Sequence, residues 1–212
     1  SGLATAATLL IIRALITEKL GLNAAGQFAA AWALSMTYTG LLLGAMAADY
    51  YPRLAEVIDS HLTANKLVND QIQINLAVGG PVVLVFIGFS HFLINVLYST
   101  SFSEAASVLQ VQMFGNIFKI VCFPLGYMFA AAGRSKLFFA TELNWNMMFI
   151  LILWLWLPRY GLELVGVAYS IAYVLYFAGN YIILRYTQGF RLQKQSIMIF
   201  TMNVIFALVI LG

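Results

Sequence analysis

Uncharged apolar runs, each about as long as a helix crossing a bilayer, recur seven times along the chain. A hydrocarbon core of about 30 Å takes about 20 helical residues. Runs of that order lie at 3–20, 25–48, 74–98, 105–131, 137–158, 164–184 and from 196 to the end of the sequence. The pattern predicts an all-α, polytopic transmembrane helix bundle. The connections are short except for 49–73 (DYYPRLAEVIDSHLTANKLVNDQIQ), which holds four of the eight acids. That segment is expected either to prolong the preceding helix or to form a surface helix. The last run is still apolar at Gly212 and reads as the start of an additional, truncated helix. The expected organisation is therefore a transmembrane lobe over 1–190 and the beginning of a further helix over 191–212.

Composition sharpens this picture. With 62% hydrophobic and only 9% charged residues, and a mean hydropathy of +0.89, the chain lacks the charge to cover a water-facing surface. An ordinary soluble domain is excluded. The 15% aromatic content, including 11 Tyr and 4 Trp, suits two membrane–water interfaces. A net charge of +3 is too small to point to nucleic acid. Cys122 stands alone, so no disulfide or thiolate metal site forms within this chain. Residue 1 is not Met and no basic n-region precedes the first run, so the opening segment does not read as a signal peptide and Ser1 looks like a cut end.

The distribution of Lys and Arg sets an expected orientation. If the chain enters from the cytoplasm, the inner loops carry Arg53, Lys66, Arg134, Lys136, Arg185, Arg191 and Lys194, and the outer loops carry only Lys19 and Arg159. That bias follows the positive-inside rule. Arg13 and Lys119 fall inside apolar runs. A central Arg costs about 2.5–3.5 kcal/mol on insertion scales and each Leu or Ile returns about 0.3–0.6. The seven Leu and Ile around Arg13 about cancel it, so the first run is marginal alone. Arg13 is expected to face the bundle interior or water, or to pair with Glu142.

Lys119 has fourteen uncharged residues on either side, which places it near the bilayer midplane. Gln112 and Asn116 precede it at i−7 and i−3 and share its helical face. Such a stripe is expected to face a cavity; a packed, neutralised lysine is the plainer alternative. Pro124 is expected to kink this helix and to free a backbone carbonyl that neighbours must satisfy. In the sixth run Tyr169, Tyr173, Tyr176 and Asn180 form a second stripe. Phenolic rings along a lumen suit sugars, although interhelical packing accounts for them equally. Gln27, Ser35 and Tyr38 make a weaker face, and the small pair Gly40 and Gly44 is expected to be a helix contact.

Catalytic chemistry is not evident. His61 and His91 are isolated, and the sequence holds no HExxH, no DxD pair, no GxSxG and no P-loop. Neither an enzyme nor a cofactor or metal requirement is expected. Glu142 is the one acid near the membrane interior, beside Asn144 and Asn146. It is a candidate for a coupling cation or proton, or simply a residue near a helix start.

Five segments carry a likeness to a known family: IIRALI (11–16), AAGQFAAAWALSMTYTGLLLGAMAADYYPRLAE (24–56), LYSTSFSEA (97–105), LGYMFAAAGRSKLFF (125–139) and YIILRY (181–186). Over about 1–190 the chain resembles the C-terminal half of bacterial polysaccharide flippases. These form the O-antigen translocase and lipid III flippase branch of the multidrug/oligosaccharidyl-lipid/polysaccharide exporter superfamily. The resemblance implies one six-helix lobe of a two-lobe transporter with a central cavity, in the bacterial cell inner membrane. It further implies a lipid-linked oligosaccharide substrate on undecaprenyl pyrophosphate and, as partners, membrane lipids, the N-terminal lobe and the polysaccharide polymerase and ligase machinery. Arg13 and Lys119 become candidates for the pyrophosphate. Gln112, Asn116, Tyr169, Tyr173, Tyr176 and Asn180 become lumen candidates. The competing expectations are a multidrug/cation antiporter of the same superfamily, a non-transporting membrane assembly protein, and a membrane glycosyltransferase or acyltransferase.

Overall fold

The computed structural model describes the chain from Gly2 to Gly212, with side chains from Ala4 onward. Seven α-helices follow one another: α1 (Gly2–Leu20), α2 (Leu22–Val57), α3 (His61–Leu97), α4 (Ser103–Ala131), α5 (Ser135–Tyr160), α6 (Leu164–Gln188) and α7 (Lys194–Leu211). A 3-10 turn at Thr100–Phe102 leads into α4. No strand occurs among the described residues.

All helices but α1 are long and apolar enough to cross a membrane. Arg13, Glu18 and Lys19 set α1 apart, in keeping with its marginal character in the sequence. Large apolar side chains stand exposed along the outer faces, among them Leu41, Trp154 and Val209. On a multi-pass membrane protein this is the surface that lipid covers.

Tight connections reverse the chain at each end. At the α4–α5 turn Gly133 takes φ 69°, Arg134 N–H donates to Phe129 O at 2.9 Å and Gly133 N–H to Ala130 O at 3.1 Å. This is a Schellman ending, which requires a left-handed residue that glycine supplies without strain. The 49–73 segment is shared between two helices. α2 runs on through Val57, residues 58–60 make the turn, and α3 begins at His61. At 36 and 37 residues these two helices are each about 55 Å long and project as a hairpin beyond the bilayer core.

α4 forms the axis of the bundle. Its apolar stretch is 67% buried, against 17% for α7. Around it α5, α1, α2, α3, α7 and α6 close a ring, successive members touching, with α6 and α7 joined by Phe177 and Phe200 at 5.4 Å between ring centroids. Glycines set the tightest approach. A Cβ on Gly166 would lie 2.8 Å from Val108 O, and one on Gly115 would lie 2.7 Å from Tyr169 Cδ1. The backbones of α4 and α6 therefore meet where side chains are absent. α7, the run expected as the start of an additional helix, packs on α3 in this bundle. Ser196 Oγ donates to Asn69 Oδ1 at 2.9 Å and Gln73 Nε2 to Ser196 Oγ at 3.1 Å, while Gly80 makes room for Asn203. Gly40 and Gly44 do not act as the expected helix contact, because both sit on the exposed face of α2 with nothing within 4 Å.

Candidate functional site

Where α5 stands away from α4, a cavity of about 260 Å³ opens between α1, α2, α4, α5 and α6. Lys119 and Glu142 both line it. Its aromatic wall is built by Trp32, Trp145, Tyr169, Tyr173 and Tyr176, and towards the Tyr127 and Phe138 end by those two rings. Lys119, Glu142, Tyr127 and Phe138 are each half-buried, so the cavity reaches the surface of the chain.

The two charges share the cavity and act on one another across it, but they form no salt bridge. Lys119 Nζ lies 3.1 Å from Met36 Sδ and 6.0 Å from the Tyr173 ring centroid. Glu142 Oε1 accepts a hydrogen bond from Tyr176 OH at 2.5 Å. The ion pairs among the described residues are Lys19–Glu18 and Arg53–Asp49, both outside the cavity. A thioether and a ring face are weak partners for an ammonium. Lys119 thus keeps its capacity to bind an anion. Trp145, in the same wall, is buried, and its Nε1 has no hydrogen-bond partner among the described residues.

The tyrosine stripe lines the cavity, and its rings pack on one another and on the tryptophans at tilted and edge-on angles. Tyr169 and Tyr173 are 4.7 Å apart, Tyr173 and Trp145 4.9 Å, and Trp32 meets Tyr169 edge-on at 5.8 Å. Such pairs fix ring orientation. Tyr169 OH also donates to Asn116 Oδ1 at 2.8 Å, and Asn116 Nδ2 donates to Ser35 Oγ at 2.8 Å. One polar chain therefore ties α2, α4 and α6 just behind the cavity wall.

Several sequence candidates lie elsewhere. Asn116 is fully buried in that chain, and Gln112, one turn earlier, is fully buried with both amide atoms unpartnered; neither lines the cavity. They share a helical face with Lys119, as expected, but Tyr169 and Ser170 of α6 close in at Gly115. Arg13 is exposed on α1, to one side of the buried stripe of Thr8, Ile12 and Ile16. It neither lines the cavity nor pairs with Glu142. Asn180 lines a separate groove between α5 and α6, with Tyr176 common to both. Gln27 serves the fold, since its Oε1 accepts from Ala105 N–H at 2.9 Å at the start of α4.

The cavity also includes Trp32, Met36, Phe123, Phe138 and Trp145, which the sequence did not single out. In an apolar run an aromatic or Met residue carries no sign of which face it occupies. Only the two residues four apart on α2 and the Glu142–Trp145 spacing on α5, each one helical turn, were available as a cue. No family model, curated protein or solved structure matches the chain.

Proposed function

We propose that this chain is one lobe of a lipid-linked polysaccharide flippase. It would carry an undecaprenyl-pyrophosphate-linked oligosaccharide, an O-antigen or related repeat unit, across the bacterial cytoplasmic membrane by alternating access. The observation that carries the reading is Lys119, an ammonium with no carboxylate in salt-bridge contact, in a cavity walled by tyrosine and tryptophan. A mid-membrane cation is costly unless it faces a polar occupant, and pyrophosphate is such an occupant. Aromatic faces and phenolic hydroxyls suit the sugar rings that follow it. At about 260 Å³ the cavity falls short of the usual 300–1,000 Å³ of a ligand site, as half of a site completed by a second lobe should. The flippase-like segments listed above supply the substrate class.

A cation antiporter of the same superfamily is the second reading, and Glu142 in the aromatic cavity favours it. Export of surface glycan and resistance to organic cations separate the two in cells that depend on the full-length protein. Lys119→Ala is expected to abolish or sharply reduce surface glycan while membrane abundance stays normal, and Lys119→Arg tests whether charge alone suffices. Normal glycan with lost cation resistance would overturn the flippase reading.

A further inference from the structure

Lys119 and Glu142 sit at the two ends of one short row of rings. Lys119 Nζ stands 6.0 Å from the Tyr173 ring centroid, the Tyr173 and Tyr176 rings meet edge-on at 6.0 Å, and Tyr176 OH donates to Glu142 Oε1 at 2.5 Å. Both charges line the same cavity and act on one another across it without salt-bridge contact. Opposite charges that share a low-dielectric cavity attract strongly, so something must hold them apart.

Tyr176 is placed to do this. Its ring packs on Tyr173, which packs in turn on Trp145 and Tyr169 at 4.9 and 4.7 Å. Asn180, one turn further along α6, hydrogen-bonds the Tyr176 side chain. The hydroxyl is therefore preorganised and anchors the carboxylate to α6. Lys119 Nζ, for its part, rests against Met36 Sδ at 3.1 Å and a ring face, contacts weak enough to give way to an anion. Both charged side chains can nevertheless travel. Each turns about several single bonds, and each is half-buried at the open cavity rather than packed into the core.

A site for an anion within the membrane faces two demands. With the anion bound, Lys119 must be free of any internal carboxylate. Once the anion has left, an unpaired ammonium is costly, and a lobe that cycles must pass through that empty state. A carboxylate able to move from Tyr176 to Lys119 meets both demands.

We infer that Glu142 is a movable counter-charge for Lys119, and that Tyr176 is the positioning residue that holds it aside while the cavity is open to an anion. Glu142 swinging onto Lys119 expels the anion and neutralises the empty site; its return to Tyr176 reopens the site. The inference rests on the reading of Lys119 as an anion site and adds to it a device for release.

Isothermal titration calorimetry of the full-length protein in detergent, with inorganic pyrophosphate as the probe, tests it. Tyr176→Phe frees Glu142 to occupy Lys119; if it does so about nine-tenths of the time, apparent affinity falls about tenfold. Glu142→Gln removes the competitor and should bind at least as tightly as the unchanged protein. The double variant is decisive. With Glu142→Gln in place, Tyr176→Phe should cost nothing, because no carboxylate is left to hold aside. Tyr186→Phe, at a residue 86% exposed near the end of α6, should bind as the unchanged protein does. A double variant that binds as weakly as Tyr176→Phe alone would show that the hydroxyl only shapes the cavity, and would overturn the inference, as would full affinity in Tyr176→Phe. Either result leaves the anion site standing where Lys119→Ala abolishes binding. No binding at all, or binding that survives Lys119→Ala, would instead remove the anion site and the inference with it.

Discussion

Asn75 on α3 donates through Nδ2 to the backbone carbonyl of Ile120 on α4 at 3.4 Å. Ile120 is the residue four before Pro124, whose missing N–H leaves that carbonyl without its helical donor. Pro124's own carbonyl accepts from Tyr50 OH at 3.1 Å. The gap in the hydrogen-bond ladder of the central helix is thus held from α3 on one side and from α2 on the other, with Lys119 one residue before the freed carbonyl. Asn75→Leu is expected to destabilise the purified protein by about 0.6–1.7 kcal/mol, read as a lower melting temperature by tryptophan fluorescence. Val78→Leu on the exposed face of the same helix should leave it unchanged. Equal melting of the two variants would mean that the Asn75 bond does not stabilise α4.

The α4–α6 contact should be intolerant of bulk. Gly166→Ala puts a methyl against the Val108 carbonyl, which is backbone and cannot swing aside. A loss of about 1–3 kcal/mol is expected. Gly44→Ala, which meets nothing within 4 Å, should be neutral or slightly stabilising. Thermal denaturation of the two variants side by side makes the comparison.

Glu142 and Tyr176 should act as a unit. Tyr176→Phe removes the hydroxyl that Glu142 accepts from, and Glu142→Ala removes the acceptor. If the pair serves transport, each single change lowers surface glycan and the double change lowers it little further. Strictly additive losses would show that the two residues contribute independently.

The ends of the bundle should label from opposite sides of the membrane. With Cys122, the single cysteine, replaced by Ala, Lys66→Cys and Lys136→Cys should react with an impermeant thiol reagent only in inverted vesicles. Lys19→Cys should react only in right-side-out cells. The reverse result would invert the assigned orientation, and mixed labelling of Lys66→Cys and Lys136→Cys would break the antiparallel order of the helices.

Much of this was legible from hydrophobic pattern alone, because in lipid a span must satisfy its own backbone and so must be an uninterrupted apolar helix. The six runs ending at 20, 98, 131, 158 and 184 and beginning at 25 fall within a few residues of helix ends or inside longer helices. The carbonyl expected to be freed by Pro124 does find a neighbour, in Asn75. Lys119, Tyr169, Tyr173 and Tyr176 were legible as cavity candidates because polar residues recurring at helical spacing mark a face.

What covers that face is a different matter. Periodicity places Gln112, Asn116 and Lys119 on one side of α4, but the approach of α6 at Gly115 buries the first two and leaves the third in the cavity. Likewise depth left open whether Arg13 faces the bundle interior or water, and it is exposed, because depth along a helix says nothing about rotation around it. Asn180 follows the tyrosines in register and still lines a separate groove between α5 and α6. The length and spacing of the apolar runs sufficed for the seven helices and their order along the chain. The tertiary structure alone decided which polar side chains meet and which stay unpaired, since that depends on where glycines let neighbouring backbones close and where bulky rings hold them apart.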